Sequence, residues 1–430
     1  MSEALVLVIV FGVLLFMGVP IAFAIGASAL CALVVSLDPV AASTVLAQRM
    51  ATGIDSFALL AIPFFILAGS LMNRGGIATR LIALAKVVVG RLPGGLACVN
   101  VLANMLFGSI SGSAVAAAAA NGGVMTPLML KEGYDRDYAA AVNISSATTG
   151  LLIPPSNIMI VYSLASGGVS IAALFIAGYI PGILLGLALM LVGGFIAKRR
   201  GYPTADPVSW GEAGRILMAA MPSLLLVALV MGGIIAGWFT PTEASAIAVV
   251  YTFVLSVLIY REVKWRDLLK LLADSAETTA IVLVLVGASM GMSWVMASAN
   301  IPQTVTATLL ALTANKILLL LLIALILLVV GTFMDMTPAV LIFTPILLPV
   351  VTKFGMDPVH FGVVMVFNLC IGLCTPPVGS VLFVGCGVAK TSLSRVWRPL
   401  LPFYAVMIIV LLLVTFLPSL SLWLPSLFGF

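Results

Sequence analysis

The chain has 430 residues, of which 63% are hydrophobic and 8% charged, with a formal net charge of +5. Soluble domains carry about 25% charged residues, so this composition excludes a soluble enzyme and describes a multi-pass membrane protein with little mass outside the bilayer. The positive charge falls in short loops, where it reads as topology information and not as a nucleic-acid surface. Cys31, Cys98, Cys370, Cys374 and Cys386 all lie in apolar segments, and the only histidine is His360. The cysteines therefore read as small buried hydrophobes, with no disulfide and no transition-metal site expected.

The N-terminal stretch "MSEALVLVIVFGVLLFMGVPIAF" lacks a basic leader and is expected to be a retained helix. Further on, "IATRLIALAKVVVGR" (77–91) is amphipathic and suits a helix lying along a membrane face. The segment 92–131 is flanked by Arg91 and Lys131, and its middle reads "FGSISGSAV". It is expected to be a re-entrant helical hairpin with a Ser/Gly tip. The helix over 138–166 that follows contains "GLLIPPSN". A Pro-Pro pair removes backbone donors and clashes with the preceding turn, so it interrupts the helix. An apolar span at 171–197 then leads to the basic linker 198–215, cytoplasmic by the positive-inside rule. Spans at 216–236 and 241–259 meet at the uncharged turn "GWFTP". Arg261, Lys264, Arg266 and Lys270 return the chain inside before a further span at 271–299. A second amphipathic stretch (301–316) precedes a second hairpin at 316–353, with "GTFMDMTP" at its tip. The helix over 358–389 is interrupted by "GLCTPPVG" and ends at Lys390, Arg395 and Arg398.

These features repeat. Pro154 and Pro155 fall on Pro376 and Pro377, and Lys131, Gly133 and Asp135 fall on Lys353, Gly355 and Asp357, at a shift of about 222 residues. The expected architecture is an all-α polytopic membrane protein of two repeats, 1–197 and 216–430, each with a hairpin and an interrupted helix. The charged loops give the repeats opposite orientations. Inverted repeats with broken helices and a central site are how secondary transporters are built.

Each break frees amides and carbonyls. Half-helix N-termini favour anions, and C-terminal carbonyls favour cations. The first repeat offers Ser109, Ser111, Gly112 and Ser113 at its tip, with Thr148, Thr149, Gly150 and Ser156 around its break. The second offers Gly331, Thr332, Asp335 and Thr337, with Gly372, Thr375 and Gly379. Such oxygen-rich sites suit sodium, and a substrate carboxylate could lie between them. Asp335, an ionisable group deep in the membrane, is expected to be an ion ligand, with a structural hydrogen-bonding role as the alternative. Glu243, Asp274 and Glu277 read as carboxylates near helix starts, stabilised by the dipole. Asn73, Arg74, Asn143 and Trp294 could line a path.

The motifs "AIPFFILAGSLMNRGGI", "GSISGSA", "GYDRDYAAAV…GLLIPPSN", "FTPTEASA" and "CTPPVGSVLFV" resemble, in order, the large (DctM-like) membrane subunit of tripartite ATP-independent periplasmic (TRAP) transporters. The resemblance implies an elevator-type fold in the bacterial inner membrane. It also implies sodium-coupled import of a small organic acid (a C4-dicarboxylate, sugar acid, keto acid or sialic acid). The family works with a small four-helix membrane subunit and a periplasmic substrate-binding protein, so both are expected partners. Carried onto this chain, Ser111, Gly112 and Ser113 with the Thr149–Ser156 break would hold one sodium ion. Asp335 and its neighbours with the Cys374–Pro377 break would hold another. Substrate candidates between the tips are Ser113, Ser156, Asn157, Thr337 and Gly379. This chain departs from the family pattern in reading "AVAAAAANGG" after the first tip, where many members have an acidic residue. Rival readings are a sodium/dicarboxylate carrier that needs no binding protein and, from other classes, a channel or an intramembrane enzyme. A channel would need a continuous polar pore, and an enzyme a nucleophile–base or metal cluster that this sequence does not suggest.

Overall fold

The computed structural model describes residues 3–204, 208–313 and 315–430, and among them every regular element is helical. The N-terminal run is two helices, α1 (Glu3–Phe16) and α2 (Ile21–Leu33), packed on each other. The single helix expected there is broken because Gly18 adopts φ +77° and Pro20 caps α2. Next come α3 (Pro39–Ile54), capped by the Asp38 carboxylate, and α4 (Ala61–Arg74). A turn through Gly76, at φ +68°, leads into α5 (Ile77–Val89).

The helices α6 (Gly95–Ser111) and α7 (Ala114–Lys131) fold back on each other. They precede α8 (Arg136–Ala147), the single turn α9 (Thr149–Leu152) and α10 (Asn157–Ala165). The chain bends by 52° between α8–α9 and α10, at the first Pro-Pro pair. Four long helices follow: α11 (Ile171–Arg199), α12 (Trp210–Ile235), α13 (Pro241–Phe253, continued by a π-helical turn to Ile259) and α14 (Trp265–Ser298). Then come α15 (Ile301–Leu312) and the antiparallel pair α16 (Lys316–Phe333) and α17 (Met336–Lys353). The chain closes with α18 (Pro358–Leu373), α19 (Ser380–Ala389), α20 (Leu393–Phe416) and α21 (Ser419–Leu427). Among the described residues, eight helices are long and apolar enough to cross a membrane, or nine if the bent pair counts as one span.

The helices fall into two groups, which meet where α4 lies against α6 and α10 and α14 against α17. One, the frame, joins α1–α4 to α12–α14. The other, the core, joins α6–α11 to α16–α21. The core is centred on α8 and α18, whose side chains are buried from Tyr138 to Ala147 and from His360 to Leu373. Two amphipathic helices connect the groups: α5 contacts α12 and α6, and α15 contacts α14 and α17. Arg80 anchors α5 to the frame, lying 3.7 Å over the Tyr260 ring and 3.7 Å from the Glu262 carboxylate.

Candidate substrate and ion site

At the first break, Pro154–Pro155 is a cis pair, and the Ser156 hydroxyl donates to the Leu151 carbonyl at 2.6 Å. The chain then re-enters a helix at Asn157. The facing hairpin turns in two residues because Gly112 takes φ +63°, a backbone only glycine adopts without strain. Ser113 caps α7, accepting from the Ala116 amide at 3.2 Å. Hairpin and break touch through bare backbone: a Cβ placed on Gly150 would lie 2.3 Å from Gly108.

The second break is built alike. Pro376–Pro377 is cis, and a Cβ on Gly372 would lie 2.5 Å from the Gly331 Cα. The Gly379 amide donates to the Thr332 carbonyl at 3.1 Å. This hairpin turns through Met334 and Asp335. Asp335 holds the N-cap position of α17 without capping it through its side chain.

Both tips open on one cavity of about 330 Å³. Its lining includes Ser111, Gly112 and Ser113 from the first tip and Asp335, Met336 and Thr337 from the second. Leu151 and Asn157 come from the first break and Leu373 from the second. The frame closes the opposite side with Ile62, Ile66, Gly69, Ser70 and Asn73 of α4 and with Thr278 and Val282 of α14. The first turns of α7, α10 and α17 all contribute to the lining, so three helix N-termini converge on the space. Among the described residues no lysine or arginine lines it, and Asp335 is the charged residue that does. The cavity can therefore receive an anion at its amide ends and a cation at Asp335.

Of the residues expected to bind ions or substrate, Ser111, Gly112, Ser113, Asn157, Asp335 and Thr337 meet in this cavity. Asn157 lies against the Gly112 backbone, its Nδ2 2.8 Å from where a Cβ there would stand. The others do not line it. Ser109 donates to the Leu106 carbonyl, Thr149 to Ser146, Thr332 to Val329 and Thr375 to Ile371. Gly150 and Gly331 form the backbone contacts already described. Neither Ser156 nor Gly379 reaches the cavity. Cys374 is buried; its Sγ donates to the Ile144 carbonyl, and its own carbonyl accepts from the Tyr404 hydroxyl. Pro154, Pro155, Pro376 and Pro377 shape the breaks without lining the space. In "AVAAAAANGG", Ala114, Val115 and Ala116 face the cavity, so α7 supplies it with no carboxylate.

Other expectations resolve differently. Glu243 does sit in a first turn, completing a capping box with Thr240. Asp274 lies well inside α14, which begins at Trp265, and pairs with Arg74 at 2.6 Å. Asn143 belongs to a buried amide cluster, and Trp294 lies under the Arg49 guanidinium at 5.0 Å. Ser70 of α4 and Thr278 of α14 are wall residues beyond those expected from the sequence. For Ser70 the one trace in the sequence is the stripe Ile62, Ile66, Gly69, Ser70, Asn73, a helix face that turns small and polar; Thr278, on α14, has none.

Membrane-length helices, two breaks paired with two tips, and one central polar cavity are the construction of a membrane transporter. A family model described as tripartite ATP-independent periplasmic transporter, DctM component, matches residues 8–420. Among similar proteins, the uncharacterised protein YgiK of Salmonella typhimurium is 56% identical over 97% of this chain and 96% of its own length. The sialic acid TRAP transporter large permease protein SiaM of Vibrio cholerae is 39% identical over 96% of each chain. The isethionate TRAP transporter permease protein DctMQ of Oleidesulfovibrio alaskensis is 40% identical over 96% of this chain, which spans 65% of that longer relative. The crystal structure of the Alcanivorax borkumensis YdaH transporter shares the fold, with a TM-score of 0.65 at 14% identity over 91% of this chain and 90% of that one. The chain belongs to the TRAP transporter family as a DctM-type large permease, a transport protein and not an enzyme.

Proposed function

We propose that this chain is the membrane-translocating subunit of a sodium-coupled importer of a small organic anion, working in the inner membrane with a small membrane subunit and a periplasmic binding protein. The observation that carries this reading is the charge balance of the cavity. Three helix N-termini favour an anion, yet the charged side chain present is the carboxylate of Asp335. An anion about 6 Å from a carboxylate is repelled by about 3 kcal/mol at an effective dielectric of about 20. No lysine or arginine of the lining offsets that, so a cation has to enter with the substrate. The hydroxyls of Ser111, Ser113 and Thr337 and the Asp335 carboxylate are oxygen donors suited to sodium.

A loaded, neutralised site crosses the membrane at lower cost than a bare anion. The two halves of the chain act as inverted repeats, and the core carries the site past the frame while α5 and α15 take up the displacement. The relatives' names include sialic acid and isethionate, both organic anions. A cavity near the low end of ligand-pocket volumes favours a compact acid here.

The test is uptake into proteoliposomes under an imposed sodium gradient, with a panel of labelled organic acids. The chain is assayed alone, with the small subunit, and with both partners. Sodium-driven uptake only in the complete mixture is the expected result. Uptake by the chain alone would assign it to carriers that need no binding protein. Uptake indifferent to sodium would overturn the coupling.

A further inference from the structure

A second, separate cavity lies where α11 ends and α20 begins. It has a volume of about 290 Å³, and its lining includes three arginines, Arg199, Arg200 and Arg398, beside Tyr138 and Phe195. Arg200 is engaged, lying 5.5 Å over the Tyr138 ring, 3.4 Å from the Tyr202 hydroxyl and 4.0 Å from the Asp135 carboxylate. Arg199 and Arg398 pair with no carboxylate among the described residues. Two like charges on the lining of one concave space repel, which an anion held between them would relieve.

What surrounds this cavity identifies the anion's class. Phe195, 66% exposed, is also a wall of a neighbouring groove of about 380 Å³. That groove is lined by apolar side chains, among them Val89, Leu92, Leu187 and Leu191, and bears a further cation, Lys198. Leu191 is 75% exposed. Because α11 is of membrane-spanning length and Arg199 is its last residue, the basic cavity lies at an interface and the groove runs back toward hydrocarbon. Apolar groove and basic head, joined at one aromatic, match a single amphiphile: a phosphate at the arginines and an acyl chain along the groove.

We propose that the α11–α20 junction is a binding site for an anionic phospholipid, its headgroup phosphodiester between Arg199 and Arg398 and one acyl chain against Leu187 and Leu191. The site is independent of the transport cavity and of the function proposed for it.

The experiment uses the full chain, purified and delipidated in detergent, and follows its unfolding temperature as phosphatidylglycerol, phosphatidylcholine or inorganic phosphate is titrated in. Phosphatidylglycerol should stabilise the wild type at a concentration about tenfold below that needed with phosphatidylcholine. Arg199→Gln combined with Arg398→Gln should remove that preference, whereas Arg395→Gln, which removes a nearby charge from outside the cavity, should keep it. Leu191→Trp, filling the groove, should weaken the response to both lipids. Equal responses to the two lipids, a double variant that titrates like wild type, or a shift reproduced by inorganic phosphate alone would each overturn the proposal. Should the double variant not fold, native mass spectrometry of Arg398→Gln extracted from membranes reads the same quantity: reduced phosphatidylglycerol supports the site, and wild-type occupancy rejects it.

Discussion

Asp38, Asp135 and Asp357 each hold a helix N-cap and each accepts amide hydrogen bonds from the helix it starts. Asp335 holds the same position on α17 without capping its first turn in this way; its carboxylate accepts only from the amide of its neighbour Met336. Its carboxylate is left at the cavity wall without an ion pair among the described residues. A carboxylate so lightly bonded at a cavity wall is available for a ligand, and Asp335→Asn tests this directly. The amide keeps the volume and loses the charge, so sodium should bind about 10- to 100-fold more weakly, in line with the 1.5–3 kcal/mol typical of a hydrogen bond to a charged group. The half-saturating sodium concentration for uptake measures this, and an unchanged value would remove Asp335 from the ion site. The glycines at the backbone contacts make a graded prediction. A Cβ on Gly150 would sit 2.3 Å from Gly108 backbone atoms, whereas one on Gly331 would find its nearest neighbour, the Gly372 Cα, at 3.1 Å. Gly150→Ala should therefore cost at least the 1–3 kcal/mol typical of overpacking, and Gly331→Ala clearly less. Thermal unfolding of the two variants side by side decides the order.

At the scale of elements, the first hairpin is held to the broken helix by amides as well as by apolar packing. Asn104 on α6 donates to the Asn143 Oδ1 at 3.2 Å and to the Ser146 hydroxyl at 2.7 Å, both on α8. It accepts from Asn121 of α7 at 2.7 Å, and all four side chains are buried. Asn104→Leu would strand the Asn143 Oδ1 and the Asn121 amide, at about 1–3 kcal/mol for each buried group left unpaired, while the Ser146 hydroxyl keeps its bond to the Val142 carbonyl. A lower unfolding temperature with α6–α7 preferentially exposed to hydrogen exchange is expected; uniform exchange would argue against a hairpin-specific role. This cluster was only faintly legible in the sequence. Asn143 stood out as a polar residue in an apolar helix, but nothing in the chain says that residues 104, 121 and 143 converge. The breaks were plain because Pro-Pro acts locally on the backbone, and the tips because Ser and Gly interrupt an apolar run. The contribution of α4 and α14 to the cavity was hidden for the opposite reason. Ser70 and Thr278 become wall residues only through the packing of distant elements, and in sequence they resemble ordinary small residues at helix contacts. Asp274 reads as a helix-start carboxylate, but α14 extends back to Trp265 and the partner, Arg74, lies 200 residues away in the chain.

At the scale of the whole molecule, the cavity is a joint. The core supplies both tips and the frame supplies α4 and α14, so neither group encloses the site alone. Any relative displacement of core and frame must open or close it, and the chain segments that cross between the groups include the amphipathic α5 and α15. If the core travels and the frame stays, a thiol on the tip should change the side from which it is reached, while a thiol on the frame should not. Val115→Cys, on the cavity-lining first turn of α7, marks the tip, and Trp238→Cys, in the exposed turn between α12 and α13, marks the frame. The background needs Cys31→Ser, because Cys31 is exposed while the other four cysteines are buried. With a membrane-impermeant maleimide applied from either face, the tip cysteine should label from one side without sodium and from the other with sodium and substrate. The frame cysteine should label from a single side throughout. A tip cysteine that reacts from the same side under every condition would leave the cavity as a fixed binding site and require a gate in place of a moving core. If both cysteines change sides, the frame is not a frame, and the division into two helix groups would describe packing without describing motion.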